Sequence, residues 1–232
     1  MRPKIRLCLT ALSLFVAGAT RGMPSPTSPH LVPIPIPRAK LCVTEGALEE
    51  TRGTRLTVTV PKMRAYVVAA TAQVVGAQFT YLGPTSADVP LGSGEMRRQF
   101  GLKLRAKNAC NLVYVMWRIE PESKLVVSIK SNPGLTTSSE CGNRGYRNIK
   151  PNRSASIPKL KPGDSHSLLA EMNGSEMHVS VDGGVVWEGD LGSEALTFNG
   201  PVGVRTDNGR FEFDFLTEGL GTTVPCHVGE KE

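Results

Sequence analysis

The chain has 232 residues, of which 40% are hydrophobic and 21% charged, and its formal net charge is +6. This length and composition suit one globular domain with a sizeable core. Residues 1–19 carry three of the excess positive charges and no acidic residue, so the rest of the chain has a net charge of +3. Because that excess is small and scattered, we expect no nucleic-acid partner.

The first nineteen residues have the pattern of an export signal. Three basic residues (Arg2, Lys4 and Arg6) precede an apolar stretch over 7–19, which ends in Ala-Gly-Ala. A charged start, an apolar stretch and a small-residue cleavage site together predict a secretory signal peptide at 1–19. The apolar stretch is shorter than the roughly 20 residues that cross a bilayer as a helix. We therefore expect a secreted or periplasmic protein without membrane insertion.

Residues 20–40 contain six prolines and show no hydrophobic periodicity. Proline has no backbone N–H and fixes its φ angle, so a proline-dense stretch favours an extended polyproline-like conformation. The composition predicts a disordered tether over 20–40, followed by a single domain over 41–232.

The domain is predicted to be all-β. Short runs of alternating apolar and polar residues, separated by glycine and proline, are typical of strands joined by tight turns. The predicted strands are 56–60, 63–70, 74–81, 98–105, 111–119, 124–130, 166–172, 176–181, 185–187, 202–205 and 210–216. Residues 131–163 are polar and rich in glycine and proline, and we expect a long segment without regular structure there.

The strand pattern is clearest near the end of the chain. Apolar residues take every second position in 177–181 and again in 211–215. The sequences Asp-Gly-Gly at 182–184 and Asp-Asn-Gly at 207–209 tolerate the positive φ angles of hairpin turns. We expect Phe213 to be buried between two sheets.

This part of the chain resembles a known family. Gly-Ser-Glu-Met-His-Val-Ser-Val-Asp-Gly-Gly-Val-Val-Trp-Glu-Gly at 174–189 and Gly-Pro-Val-Gly-Val-Arg-Thr-Asp-Asn-Gly-Arg-Phe-Glu-Phe-Asp-Phe at 200–215 resemble the end of concanavalin A-like, laminin G-like jelly-roll domains of bacterial secreted proteins. That group includes sugar-binding modules and keto-disaccharide hydrolases. The resemblance is good over 165–216, weaker over 54–130 and absent before 39. It implies an antiparallel, two-sheet jelly-roll sandwich, but such sandwiches host several functions.

Four cysteines follow the signal: Cys42, Cys110, Cys141 and Cys226. An even number of cysteines in an exported chain, without a Cys-x-x-Cys pair, predicts disulfides rather than a zinc site. The two ends of a jelly roll usually lie on neighbouring strands, so the resemblance implies Cys42–Cys226. The remaining bridge, Cys110–Cys141, then closes the segment after residue 130.

Candidate ligand-binding residues lie on the central hairpin and in the segment that follows it. They are Tyr114, Arg118, Lys130, Asn132, Arg144 and Tyr146. Tyr114 and Arg118 alternate with apolar residues and so should lie on the sheet face opposite the core. Aromatic rings with guanidinium and amide donors hold polyhydroxylated or acidic ligands. A solvated sheet face is the alternative explanation of the same residues.

A catalytic site would rest on Glu212 and Asp214. Secreted glucanases of the concanavalin A-like superfamily carry three acidic residues at alternating positions of one strand, but here the third position is Leu216. A retaining glycosidase needs two carboxyl groups about 5–5.5 Å apart, one of them able to donate a proton. We therefore expect no catalysis by this pair, and a glycoside hydrolase remains the alternative.

A metal or other cofactor is not expected. Asp182, Asp207 and Asn208 offer oxygen ligands for calcium, as in some laminin G-like domains, but turn formation explains the same residues. The preferred hypothesis is a non-enzymatic, lectin-like module whose partner is a carbohydrate or extracellular polymer. A structural or adhesion domain that contacts protein through 131–163 is a further alternative.

Overall fold

The computed structural model describes residues 33–68, 72–219 and Cys226. The predicted signal peptide and most of the predicted tether lie outside these residues. In chain order the described strands are β1 (Ile34–Pro35), β2 (Leu41–Glu45), β3 (Glu49–Arg52), β4 (Arg55–Val58), β5 (Lys62–Val67), β6 (Val74–Pro84), β7 (Arg98–Asn108), β8 (Asn111–Glu120), β9 (Lys124–Lys130), β10 (Tyr146–Asn148), β11 (Arg153–Ser154), β12 (Ser165–Asn173), β13 (Glu176–Val181), β14 (Gly184–Asp190), β15 (Gly203–Asp207) and β16 (Gly209–Thr217). The helices are α1 (Ser138–Cys141), α2 (Ser193–Leu196) and a 3₁₀ turn at Arg38–Lys40.

The strands form two antiparallel sheets, as the sequence predicted. The first sheet has the order β11-β14-β13-β12-β6-β16-β4-β3, and β1 also pairs with β16. The second sheet has the order β10-β9-β8-β7-β15-β5-β2. Each of the eleven predicted strands corresponds to an observed one, and β9 and β13 have the predicted limits. Within the described ranges, no helix is long and apolar enough to cross a membrane.

The core lies between the two sheets and is rich in phenylalanine. Phe79 of β6 and Phe100 of β7 stack across the sandwich with ring centroids 4.4 Å apart. Trp117 of β8 packs edge-on against Phe79, and Phe213 of β16 against Phe100, at 5.5 and 5.4 Å. Phe213 is fully buried, as expected from the alternation in its strand. Aromatic pairs of this geometry contribute about 0.5–1.5 kcal/mol each beyond area burial.

The end of the predicted tether belongs to the sandwich. Ile34 and Pro35 pair with Thr217 and Leu216 of β16, and the Ile36 amide donates to the Phe215 carbonyl at 2.8 Å. Ile36 is also fully buried. The expectation of a disordered tether is therefore wrong from residue 34 onward. Isoleucines alternate with the prolines here, so an N–H and an apolar side chain remain available at a sheet edge.

Residues 131–163 are also more regular than predicted. The segment contains α1, β10 and β11, and it crosses from β9 of the second sheet to β14 of the first. A capping box starts α1, with Thr137 at the N-cap and Glu140 at its third position. Backbone N–H donors of Thr137 and Thr136 lower the pKa of Glu140 to about 2. The prediction failed because strands of two or three residues are too short to show a period.

The structure contains the two disulfides expected from the sequence. Cys42 and Cys226 are bridged with their Cα atoms 5.4 Å apart, and the bridge spans 184 residues of sequence. Cys110 and Cys141 are bridged with Cα atoms 5.9 Å apart, which fastens α1 to the turn between β7 and β8. Both Cα separations are ordinary for disulfides.

Candidate functional site

A groove lies over the outer face of the second sheet. We call it the outer groove: an open depression of about 430 Å³, with residues from β5, β7, β8, β9, β10 and β15 as its floor. Residues from the segments 91–97 and 138–143 form its two walls. Its volume falls in the range of about 300–1,000 Å³ that is usual for small-molecule sites.

At the centre of the floor, the Gly101 backbone packs closely against β8. Strand β7 pairs Gly101 with Met116 of β8 on one side and with Arg205 of β15 on the other. A Cβ atom at Gly101 would lie only 2.4 Å from the Met116 sulfur and 2.5 Å from the Val115 carbonyl oxygen. Glycine at this position therefore leaves room for the Met116 side chain against β7.

Asp207 holds the polar floor together. Its fully buried carboxylate accepts hydrogen bonds from Arg64 Nη2 at 2.6 Å, Gln99 Nε2 at 2.6 Å and Arg205 Nε at 2.9 Å. These donors reach it because β15 lies between β7 and β5. Burial acts to raise the pKa of Asp207, but Arg205, Arg64 and the hydrogen bonds outweigh it and hold that pKa well below its usual range.

Two tyrosines and two cations continue the floor toward β10. The Arg205 guanidinium carbon lies 5.2 Å from the centre of the Tyr114 ring, and the Tyr114 and Tyr146 rings stack at 6.0 Å. Lys130 Nζ lies 5.2 Å from the centre of the Tyr146 ring. Burial acts to raise the pKa of Tyr146, but the charges of Arg205 and Lys130 lower it overall. Tyr146 is 41% exposed and presents an aromatic surface at the rim.

Arg118 and Gln99 are cross-strand partners whose polar atoms are not fully used. Arg118 Nε and Gln99 Oε1 are buried and have no hydrogen-bond partner in the part of the chain that the structure describes. Burial and then the nearby charge of Arg97 lower the pKa of Arg118, against the opposite effect of Glu95. Arg97 itself forms an ion pair with Glu95 in the groove wall.

The structure brings together four of the six predicted binding residues. Tyr114, Arg118, Lys130 and Tyr146 line the outer groove, on the face opposite the core. Tyr114 and Lys130 are nevertheless buried, at 4% and 3% exposure, because neighbouring side chains cover them. Lys130 Nζ also donates to the Ala109 carbonyl at 3.0 Å. Alternation along the strand thus predicted the face on which Tyr114 lies, but it did not show that Tyr114 and Lys130 are covered there.

Asn132 and Arg144 are not among the residues that line the groove. The Asn132 amide donates to the carbonyls of Cys110 at 3.2 Å and Arg144 at 3.0 Å. The Arg144 guanidinium donates to the carbonyls of Cys141 and Glu140 in α1. Both side chains therefore brace the segment after β9, which accounts for their polarity without a ligand.

Sequence reasoning missed three groove residues on other strands, Arg64, Gln99 and Arg205, and also Arg97 in the adjoining wall. Gln99 alternates with core residues of β7, and Arg205 with core residues of β15, so a period-two signal for outward orientation was available. What the sequence did not supply was the order of strands, which places β15 between β7 and β5.

Glu212 and Asp214 lie elsewhere, on the outer face of the first sheet. Asp214 accepts from Arg55 Nη1 at 3.2 Å and from the Thr54 hydroxyl at 2.9 Å. Glu212 Oε2 is 4.0 Å from Arg55 Nε. The two carboxylates share one arginine across β16 and β4, and this ion pairing explains their positions structurally.

The residues considered for calcium do not converge. Asp207 is bonded to two arginines, while Asp182 accepts from His166 Nδ1 at 2.6 Å and the Ser167 amide at 2.8 Å on the other sheet. Asp182 and Asn208 have φ angles of 51° and 55°, as predicted for turn residues. Within the described ranges, no three His, Cys, Asp or Glu side chains form a metal-binding group.

Two solved structures resemble this one over most of their length. The carbohydrate-binding module CBM66 from Bacillus subtilis aligns with a TM-score of 0.52 and 14% identity, over 77% of this chain and 94% of that module. The metal-free carbohydrate recognition domain of Emp46p aligns with a TM-score of 0.51 and 10% identity, over 78% and 89%. No protein-family model and no curated protein matches the chain. The structural likeness shows the concanavalin A-like jelly-roll fold that the sequence predicted.

Proposed function

We propose that this protein is a secreted, lectin-like module that binds a glycan or an extracellular surface polymer in the outer groove. The observation that carries the proposal is the combination of an accessible aromatic ring, Tyr146, with guanidinium and amide groups on one sheet face. Sugar rings stack on aromatic surfaces, while their hydroxyl groups need planar donors and acceptors. The two similar structures are named as a carbohydrate-binding module and a carbohydrate recognition domain, which supports the same function.

The groove is built to keep its shape before a ligand arrives. Asp207 fixes Arg64, Gln99 and Arg205 from below, and the Tyr114–Tyr146 stack fixes the aromatic end. A ligand therefore meets side chains whose rotamers are already restricted, which reduces the entropic cost of binding.

Secretion is part of the same proposal. Two disulfides in one domain are typical of an oxidising compartment. The predicted signal at 1–19 supports that location, and a mass measurement of the exported protein would test it by finding a chain that begins near residue 20.

A glycan array with the oxidised protein, followed by calorimetry on each hit, tests glycan binding. Tyr146→Ala is expected to weaken affinity about ten-fold or more, a change of roughly 1.4 kcal/mol, because it removes the accessible ring. Val185→Ala is the control, since Val185 is 46% exposed on the other sheet. Equal affinity of Tyr146→Ala and wild type would place the site outside the groove.

The two alternatives have distinct outcomes in the same samples. If the wild type cleaves a glycoside and Glu212→Gln abolishes the cleavage, the protein is a hydrolase that uses the first sheet. If no glycan binds and a protein partner is lost on changing 131–163, the adhesion hypothesis holds instead.

A further inference from the structure

The outer groove has a strong excess of positive charge. Among the described residues, six cationic side chains line it and two acidic ones, Glu45 and Glu95. Those two acids already face arginines: Glu45 lies 3.7 Å from Arg64 Nε, and Glu95 pairs with Arg97. Asp207, below the floor, neutralises part of the charge of Arg64 and Arg205. The groove therefore has more positive charge than its own carboxylates balance.

Arg118 is the cation with the clearest capacity for an external anion. Its Nε is buried and has no hydrogen-bond partner among the described residues, and of the two carboxylates that line the groove one faces Arg64 and the other pairs with Arg97. A buried donor without a protein partner costs about 1–3 kcal/mol, so in folded proteins such a donor usually binds a water molecule, an ion or a ligand. A guanidinium presents parallel N–H groups that match the two oxygens of a carboxylate.

Among the described residues, Gln99 places an unpaired hydrogen-bond acceptor beside Arg118. Its amide nitrogen must face Asp207, because an ionised carboxylate accepts hydrogen bonds and does not donate them. The amide oxygen consequently points away from Asp207, and it is buried without a donor among the described residues. Gln99 and Arg118 are directly opposite on β7 and β8. The pair thus offers an acceptor for a hydroxyl next to a fork for a carboxylate.

We propose that the outer groove selects acidic glycans that contain uronic acid, with the sugar carboxylate on Arg118 and a neighbouring sugar hydroxyl donating to Gln99 Oε1. This inference rests on the proposed glycan-binding function and specifies its ligand class. The Tyr146 ring at the rim offers a stacking surface for a more distant sugar of such a chain, because Tyr146 pairs through Lys130 with Leu112, six positions along β8 from Arg118.

The test compares oligomers of galacturonate, guluronate, mannuronate and glucuronate with the same oligomers after their carboxyl groups are reduced to alcohols. Calorimetry on the oxidised protein should find at least one uronate oligomer that binds about ten-fold or more tightly than its reduced form. A sulfated, uronate-free glycan serves as the second anionic probe and should bind more weakly.

Arginine variants identify the group responsible. Arg118→Gln should lose about 10- to 100-fold in affinity for the uronate, the usual effect of removing a charge-assisted hydrogen bond. Arg118→Lys should recover only part of that loss, because it restores the charge but not the fork. Arg153→Gln changes the charge equally on the first sheet, where the side chain is 79% exposed, and should bind as the wild type does.

The outcomes separate this inference from glycan binding itself. Equal affinity for a uronate and its reduced form overturns the acidic selectivity but leaves a glycan-binding groove. Tighter binding of the sulfated probe overturns the carboxylate assignment. Equal losses in Arg118→Gln and Arg153→Gln would mean unspecific charge attraction. Binding of no glycan at all overturns both proposals. If Arg118→Gln does not fold, two measurements still test the inference: the ratio of the affinities for the native and the reduced oligomer, and the affinity of the Arg118→Lys variant.

Discussion

Asp207→Asn should destabilise the protein strongly, because Asp207 is the shared counterion of two arginines. The carboxylate is fully buried and lies 2.6 Å from Arg64 Nη2 and 2.9 Å from Arg205 Nε. Asparagine keeps the size but removes the charge, and it leaves two guanidinium groups near each other on the sheet. Breaking a buried ion pair from one side costs about 3–5 kcal/mol.

Urea unfolding of the oxidised protein measures this cost directly. For a domain of this size, Asp207→Asn should also lower the midpoint of thermal unfolding by roughly 6–20 °C. Asp214→Asn is the matched control, because Asp214 also pairs with an arginine, at 3.2 Å from Arg55 Nη1, but on the solvent side of the first sheet. Loss of that surface pair should cost about 1 kcal/mol or less.

The pH dependence of stability provides a second measurement on the same variant. The pKa of Asp207 is lower in the folded protein than in the unfolded chain, so its stabilisation is complete above the unfolded pKa, about 4. It is lost progressively as the pH falls below that value. The unfolding free energy of Asp207→Asn should therefore depend less on pH below 4 than that of the wild type. A cost under about 1 kcal/mol at neutral pH, or an unchanged acid dependence, would refute the role of a shared counterion.

Three further expectations concern single residues. Phe213→Ala should cost about 3–5 kcal/mol in urea unfolding, as for a core aromatic, and a cost near 1 would mean that β16 is peripheral. Tyr114→Ala should destabilise the protein measurably, whereas Tyr114→Phe should retain most of the stability, because the buried ring packs on Tyr146 and under Arg205. Equal stability of Tyr114→Ala and wild type would contradict this. A carboxyl NMR titration should give Glu140 a pKa of about 2, and this pKa should rise in Thr137→Val. The ionised Glu140 carboxylate stabilises the fold fully above its unfolded pKa, about 4.3, and this stabilisation fades as the pH falls toward 2. A pKa near 4.3 in the wild type would show that the capping box is not formed.

The sequence predicted side-chain direction better than side-chain environment. A period of two was enough to place Phe213 inside and Tyr114 on the opposite face, since alternation is a property of each strand alone. It could not show that Tyr114 is buried, because the covering groups, Tyr146 and Arg205, come from β10 and β15. Contacts that distant in sequence depend on the order of strands in the sheet.

Residue type was a poor guide within the segment after β9. Asn132 and Arg144 carry amide and guanidinium groups of the kind that bind ligands, but both groups bond to the backbone of the segment. A segment with little regular structure leaves carbonyl groups without ladder partners, and nearby polar side chains satisfy them. Arg118 and Gln99 lie instead on strands whose backbone is already paired, so their side chains are available for other contacts.

The Asp-Asn-Gly turn after β15 connects the fold to the groove. Asn208 adopts the positive φ angle of the turn, and its side-chain amide bonds to the Val89 amide and to the carbonyls of Val89 and Arg97 at 2.8–2.9 Å. Those bonds hold the segment 91–97, which forms one wall of the outer groove, while Asp207 fixes the floor. A turn that was predicted only to reverse the chain thus positions the wall and the floor together. Because both depend on adjacent residues, a change that distorts this turn should alter ligand affinity even though Asn208 itself does not line the groove.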